Sequence, residues 1–353
     1  MPDLASFLAT ELQINAIQQA GPVTEAELND ALKASTVDVP AIYDTTMYRL
    51  KNQPATKARI GLATLGWLAK ALRTLSSQEL LHAVGLDTSF NTFSWQHAPP
   101  LNTVLSSCLG LVKYDQARDE VRLVHCTLLE YFDQRKVELL SHKAALEGCL
   151  RCLSDPSLSS MLTRPRHLLD QNVPFLKYAT QYWIRHVRED LEESVELLHY
   201  LSKGTQIEIW RTLVLRIGSR ESMPRAVQKY LDYLPFPYPG CQLAIALQWK
   251  QTTEAFLNTL DLNVQKIAAL LLVAVRAENH HATESLVSRG ARPSAQYFDF
   301  TSAECDEIMR SPFALDRLIS AIQTRALARA SERASKRASK RQLQQALALR
   351  KPS

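Results

Sequence analysis

Glycine is scarce in this chain, with ten in 353 residues, and β-branched runs are few. A protein built mainly of sheet needs many tight turns, so this scarcity points away from a sandwich or barrel and toward helices. Long apolar runs are missing as well. The longest, Ile267 to Val275 (IAALLLVAV), falls far short of the roughly 20 residues that a membrane span needs. The start, MPDLASFLATELQ, carries Asp3 and interrupts its apolar residues with Thr10 and Glu11, which does not fit a secretory signal. A soluble intracellular protein, cytoplasmic or nuclear, is the expectation.

Paired cysteine motifs are lacking. Cys108, Cys126, Cys149, Cys152, Cys241 and Cys305 are spread through helix-like sequence, unlike a secreted disulfide framework. Cys149 and Cys152 form one C-x-x-C with no second pair to complete a metal site, so buried thiols are the simpler reading. Catalytic signatures are absent too: there is no G-x-S-x-G, H-E-x-x-H, Rossmann fingerprint or G-x-x-x-x-G-K-[S/T]. His82, His142, His186, His199 and the pair His280-His281 lack the spacing of a metal site. A non-enzyme without cofactor follows as the expectation.

What is present is apolar content of 46% against 22% charged residues, enough for a packed core in two or three domains. The +5 formal charge is unevenly placed. From Ser320 to Ser353 there are nine Lys/Arg and one acid, Glu332, so the residues before the tail are net −3. Arg329 to Arg341 reads RASERASKRASKR, a four-residue repeat of high helix propensity. Its cations Arg329, Arg333, Lys336, Arg337, Lys340 and Arg341 suit a nuclear import signal, an arm for nucleic acid or another anionic surface, or a solvated helix. Ser339, after Lys336-Arg337-Ala338, fits a basophilic kinase site, where phosphate adds up to about two negative charges.

Along the chain, Phe7 to Gln19 reads as a helix ended by Gly21-Pro22, and Thr24-x-x-Glu27 starts another. A short helix covers Asp44 to Lys51. Leu62, Leu65, Leu68 and Leu72 form an apolar stripe within a helix at Lys57 to Arg73. Ser76-x-x-Glu79 has capping-box spacing and opens the next helix, and a third runs from Leu101 to Leu109. Leu111 to Asp115 and Val121 to His125 alternate as two strands, after which Thr127-x-x-Glu130 opens a further helix. Three helices and a hairpin spell a winged helix. Helices are expected at about 137 to 153, 174 to 187, 190 to 202, 205 to 217 and 223 to 232. Pro235, Pro237 and Pro239 mark the clearest break.

These segments resemble the fungal NACHT-ankyrin proteins, a group of STAND signalling ATPases. ELNDALKAS with AIYDTTMYRL is similar to the end of their NACHT module. IGLATLGWLAKALRTLSSQELLHAVGLD, GLVKYD and VRLVHCTLLEYFD are similar to their winged helix of the GPI inositol-deacylase type. ALEGCLRCLSD with VPFLKYATQYWIRHVRED is similar to the connector that precedes their ankyrin repeats. CQLAIALQWKQTTEAFLNTL and LLLVAVRAENHHATESLVSRGARPSA resemble worn ankyrin repeats. Leu243 and Leu271 lie 28 apart, short of the usual repeat of about 33, and an ordinary helical hairpin fits nearly as well.

The resemblance implies a mainly α architecture. Residues 1–54 would end a NACHT module, 55–136 would be the winged helix, 137–234 an α-helical connector, 235–319 degenerate ankyrin-like pairs and 320–353 a basic tail. The P-loop of the family is missing, so no ATP binding by this chain alone is expected. The resemblance also marks His125, whose family counterpart touches bound diphosphate; a half-buried histidine satisfying backbone groups is the plainer reading. The winged helix is a poor DNA reader, because LNTVLSSCL at Leu101 to Leu109 has no Lys or Arg. The implied role is a non-catalytic interaction or regulatory protein that docks a protein partner on its C-terminal helical pairs. The alternatives are a nuclear or nucleic-acid-associated protein acting through its tail, and a piece of a longer STAND ATPase gene.

Overall fold

The computed structural model describes residues 39–88, 98–137, 139–163, 173–218, 220–231, 238–293, 303–304, 316–318, 320–321 and 324. The helices expected at Phe7 to Gln19 and after Thr24, and the basic tail beyond residue 324, lie outside the described residues. The protein is mainly helical with one small antiparallel hairpin, as the sequence predicts. It divides into two compact units: residues 1–191 with 209–222, and residues 192–208 with 223–353.

In the first unit, α1 (Val39–Lys51) leads through Pro54 into α2 (Ala55–Lys70). Then come α3 (Ser77–Thr88), α4 (Leu101–Ser107), β1 (Val112–Asp115), β2 (Glu120–Leu123) and α5 (Thr127–Gln134). The hairpin pairs Val112 with Leu123 and Asp115 with Glu120, so Glu120 belongs to the strand and not to the turn that the sequence suggests. Asp119 supplies the left-handed turn residue, at φ 52°. An isolated bridge joins Ser76 to Glu120 on the open edge of β2, and Ser77 N–H donates to the Asp119 carbonyl at 3.0 Å. The segment before α3 is thus fixed to the hairpin.

The Ser76-x-x-Glu79 box is formed in full. Ser76 Oγ accepts from Glu79 N–H at 3.2 Å, and Glu79 Oε2 accepts from Ser76 N–H at 3.0 Å. Two of the free donors at the start of α3 are satisfied reciprocally. Thr127-x-x-Glu130 has the same spacing, but its helix starts differently. The residue before α5 is Cys126 in a helical conformation, with no side-chain cap, and Thr127 Oγ1 is engaged with Tyr43 and His125 instead.

α6 (His142–Leu153) starts later than the expected residue 137, because Ser141 accepts Ala144 N–H and caps it there. The strand-like segment before it lies against α2: a Cβ on Gly66 would come 2.5 Å from Leu140 Cβ, so glycine is required at that crossing. After α7 (Ser157–Met161), α8 (Leu176–His186) packs closely on α6. The core joins these helices through Trp67, whose ring meets Phe175 and Tyr178 edge-on at 5.0 and 6.2 Å. Trp183 is fully buried and meets Trp210 at 5.7 Å, while Trp210 Nε1–H donates to the Thr180 carbonyl.

In place of the helix expected at 190 to 202 there is a 3-10 turn, Glu189–Leu191, and then α9 (Val195–Ser202) capped by Ser194. α10 (Gly204–Ile217) has residues in both units. The second unit continues with α11 (Arg225–Leu231), α12 (Pro239–Ala246), α13 (Lys250–Thr259), α14 (Val264–Arg276) and α15 (His280–Ser288). Tyr238, at φ 62°, turns the chain into α12 ahead of Pro239, where proline sits at the helix start that favours it.

Candidate functional site

The helices α12 to α15 form two hairpins in register. α12 turns into α13 through Leu247 and Gln248, and α14 turns into α15 through Ala277 and Glu278. Gln248 and Glu278 are both left-handed, at φ 59° and 55°. Trp249 N–H donates to the Ala244 carbonyl at 3.0 Å, and Asn279 N–H donates to the Ala274 carbonyl at 2.9 Å. Each of these pairs is offset by 30 residues. The register therefore matches Leu243 with Val273, and Cys241 with Leu271, rather than Leu243 with Leu271.

The hairpins stack like on like, α12 against α14 and α13 against α15. The first helices are mostly apolar, with Gln242 buried in α12 and Gln265 exposed at the start of α14. Gly240 to Ala246 and Ile267 to Val275 are buried without a break, so the longest apolar run of the sequence is core of this stack. The second helices bury one face through Thr252, Thr253, Phe256 and Leu257 in α13, and through Ala282, Thr283 and Leu286 in α15. A polar face remains on each.

Polar groups tie the layers. Asn279 Oδ1 caps α15 by accepting Ala282 N–H at 3.0 Å, while its Nδ2 donates to the Ile245 carbonyl of the other hairpin at 2.9 Å. Gln248 Nε2 donates to the Ala277 carbonyl at 3.2 Å. α13 has no cap of its own, and Glu192 supplies one. Its Oε2 accepts Gln251 N–H at 2.9 Å, and its carbonyl accepts the Thr252 hydroxyl at 2.5 Å. Although it lies among the acids Asp190, Glu193 and Glu196, Glu192 is buried, and the free amides at the start of α13 supply its donors.

On the outer face of α13 and α15, Arg289 reaches back to Glu254 at 3.0 Å and Asn258 at 2.7 Å, and His281 lies 3.1 Å from Glu254. Burial pushes the Glu254 carboxyl up, but the Ser285 hydroxyl, the Arg289 guanidinium and His281 outweigh it and hold the pKa below the ordinary range. The outer face of α13 and α15 is thus charged and hydrogen-bonded.

His125 lies in the first unit, half-buried at the end of the hairpin. Its Nδ1 accepts Thr127 N–H at 3.2 Å and faces Thr127 Oγ1 at 2.9 Å, and Thr127 Oγ1 in turn meets the Tyr43 hydroxyl at 2.9 Å. An Nδ1 that accepts a backbone proton belongs to a ring protonated on Nε2. Nearby, Asp44 accepts from Tyr131 at 2.8 Å and from Arg135 at 2.7 Å. These bonds fasten α1 to α5, and His125 serves that junction.

Sequence spacing does not suggest a further site, yet His142 and His186 come together across α6 and α8. Arg188 donates to His142 Nε2 at 3.2 Å, which leaves the proton of a neutral ring on Nδ1. That Nδ1–H faces His186 Nδ1 at 3.2 Å, and His186 Nε2–H meets the Tyr178 hydroxyl at 2.9 Å. Tyr178 also accepts Leu72 N–H at 3.1 Å. Burial, then the facing His142, then Arg188 lower the His186 pKa to about 4. The positions are 44 residues apart, and only the packing of α6 on α8 joins them.

Cys149 and Cys152 are both free and buried in α6, and burial pushes their thiols up, as expected for inert core residues. Among the described residues no three His, Cys, Asp or Glu side chains gather as a metal site. None of the helices there is long and apolar enough to cross a membrane. Ser339 and the tail cations lie outside the described residues. Comparison with protein-family models, with curated proteins and with solved structures finds no match to this chain.

Proposed function

We propose that this chain is a non-catalytic interaction or regulatory protein that docks a protein partner on the stacked hairpins α12–α15. The observation that carries this reading is the 30-residue register of the two hairpins, with equivalent left-handed turns at Gln248 and Glu278. A repeated hairpin with an apolar first helix and a polar outer face is the logic of solenoid binding proteins, which bind through an extended surface and not in a catalytic pocket. The repeat is shorter than the ankyrin unit, so the ankyrin-like likeness rests on the hairpin order and the Gly290-Ala291 ending.

In the first unit the order helix, bridge, two helices, hairpin supports a winged-helix reading, with the Ser76 bridge as its short third strand. His125 bonds within the protein, which supports a structural role there over nucleotide contact. The kinship with NACHT-ankyrin signalling proteins is proposed on the sequence segments alone. The basic repeat at Arg329 to Arg341 favours a second reading, contact with nucleic acid or another anionic surface.

Affinity capture by the full chain and by a form ending at residue 235 tests the first reading. Partners that depend on residues 236–353 support it, and an unchanged set of partners overturns it. Salt titration of duplex DNA binding tests the second, since tail-driven binding must weaken steeply with salt. Stoichiometric adenosine diphosphate on the purified protein would refute the nucleotide-free role.

A further inference from the structure

We infer that His142 and His186 form an acid-opened latch, which releases the start of α6 from the end of α8 while the rest of the first unit stays folded. It lies apart from the hairpin stack and does not depend on what that stack binds.

The latch is a chain of hydrogen bonds with a fixed polarity. Arg188 can only donate, so its bond to His142 Nε2 at 3.2 Å places the one proton of the neutral ring on Nδ1. That proton points at His186 Nδ1, 3.2 Å away, and the proton of His186 is then on Nε2, against the Tyr178 hydroxyl at 2.9 Å. All four ring nitrogens are in use. A further proton has no acceptor. On His142 Nε2 it would face the Arg188 guanidinium, and on His186 Nδ1 it would face the Nδ1–H of His142, donor against donor in both places. The closed chain therefore excludes a proton, and a chain that takes one must break a bond.

The surroundings press the same way. His186 is fully buried and His142 half-buried. Burial, then Arg188, then Lys70 of α2 lower the His142 pKa against the pull of Asp190, and burial, then His142, then Arg188 lower that of His186 to about 4. Tyr178 is faced by Cys149 of α6, by Arg73 and by Tyr182, and on α6 itself Lys143 lies 3.9 Å from Glu147. Both histidine pKa values are lowered in the closed form, so the latch is fully held above pH 6.5 and loses hold as pH falls below it. Its two ends can move without the core. His142 is the first residue of α6, and Arg188 is exposed beyond Val187, where the chain leaves α8 in extended backbone. Opening frees the stretch from Arg188 to Leu191, which runs on into Glu192, the cap of α13.

Native-state hydrogen exchange of the full chain from about pH 7 to about 5, corrected for intrinsic rates, tests the latch. The reporter is Ala145 N–H, bonded to the Ser141 carbonyl at 3.0 Å in the first turn of α6, and the reference is the buried Leu65 of α2. Protection at Ala145 is expected to fall by up to about tenfold per pH unit for each proton taken up, and to ignore low urea because a local opening exposes little surface. Leu65 exchange rises with urea. Arg188→Gln supplies a carbonyl that accepts a proton from His142 Nε2, so the His142 pKa by proton NMR moves up toward the ordinary value and the pH response of Ala145 weakens. His142→Gln removes the response, since its amide can either donate to His186 or accept from it. Protection at Ala145 that is independent of pH overturns the inference, as does a urea dependence equal to that of Leu65, which means global unfolding. So does an Arg188→Gln chain, exposed at its substitution and folded by its unfolding curve, in which both the His142 pKa and the Ala145 response are those of the native protein.

Discussion

Acid is expected to unfold the first unit through two histidines that the fold keeps neutral. His82 and His186 are fully buried. Burial lowers the His82 pKa from 6.5 to about 4, with Asp155 pulling weakly the other way, and burial with His142 and Arg188 does the same at His186. Each ring is neutral when folded and takes a proton when unfolded, between pH 6.5 and about 4. The unfolded state then binds more protons, so stability is fully present above pH 6.5 and is lost as pH falls toward 4. A shift of about 2.5 units at about 1.4 kcal/mol per unit gives roughly 3 kcal/mol for each ring. Together they give a slope of up to about 2.7 kcal/mol per pH unit, large against a total stability of about 5–15 kcal/mol.

Urea unfolding of the full chain, followed by the fluorescence of the buried Trp67, Trp183 and Trp210, measures this slope. His82→Gln and His186→Gln remove the titrating groups while keeping a polar side chain. Each variant is expected to flatten the slope by about half between pH 6.5 and 5, whatever it costs at neutral pH. Histidine proton NMR gives the two pKa values directly. A native slope near zero in that range, or a slope that neither variant changes, refutes the argument.

Gly240→Ala forces a Cβ into the Leu201 carbonyl, which is backbone and cannot turn aside, so the second unit loses about 1–3 kcal/mol in chemical unfolding. Asn279→Ala removes both the cap of α15 and the bond to the Ile245 carbonyl, at a cost of about 1–3 kcal/mol, and speeds hydrogen exchange at Ala282; exchange at the native rate would deny the cap its role. Glu79→Ala removes the capping bond to Ser76 together with the paired bonds from Arg73, at 2.5 and 2.6 Å, and costs more than Ser76→Ala, which loses about 1 kcal/mol. Equal losses for the two would show that the Arg73 pair adds nothing to the cap.

Legibility in the sequence followed the range of the forces. The stripe at Leu62, Leu65, Leu68 and Leu72, the alternation at Val112 to Leu123 and the Ser76 box are local, and each places its element within a few residues, although Leu72 falls past the end of α2 and is exposed. α5 opens at Thr127 as the spacing suggests, but without the capping box, because the Thr127 hydroxyl turns to Tyr43, 84 positions earlier. The burial of Glu192 has no local signal either, since its partner amides belong to α13. The His142–His186 pair carries no local signal at all. His125 stands out by its place between a strand end and a helix start and by a family likeness; it is half-buried and accepts Thr127 N–H.

The two hairpins show how such distant partners fix a register. Apolar burial is non-directional, so on its own it would tolerate neighbouring alignments of the first helices. The polar groups remove that freedom. Asn279 satisfies both its own helix and the Ile245 carbonyl in one alignment only, and Glu192 meets the first amides of α13 only when that helix begins at Lys250. A one-residue slip would take the buried Asn279 amide and the buried Glu192 carboxylate away from these partners, each costing about 1–3 kcal/mol or more. Burial drives the stack together, and it is these few unforgiving polar contacts that decide where it stops.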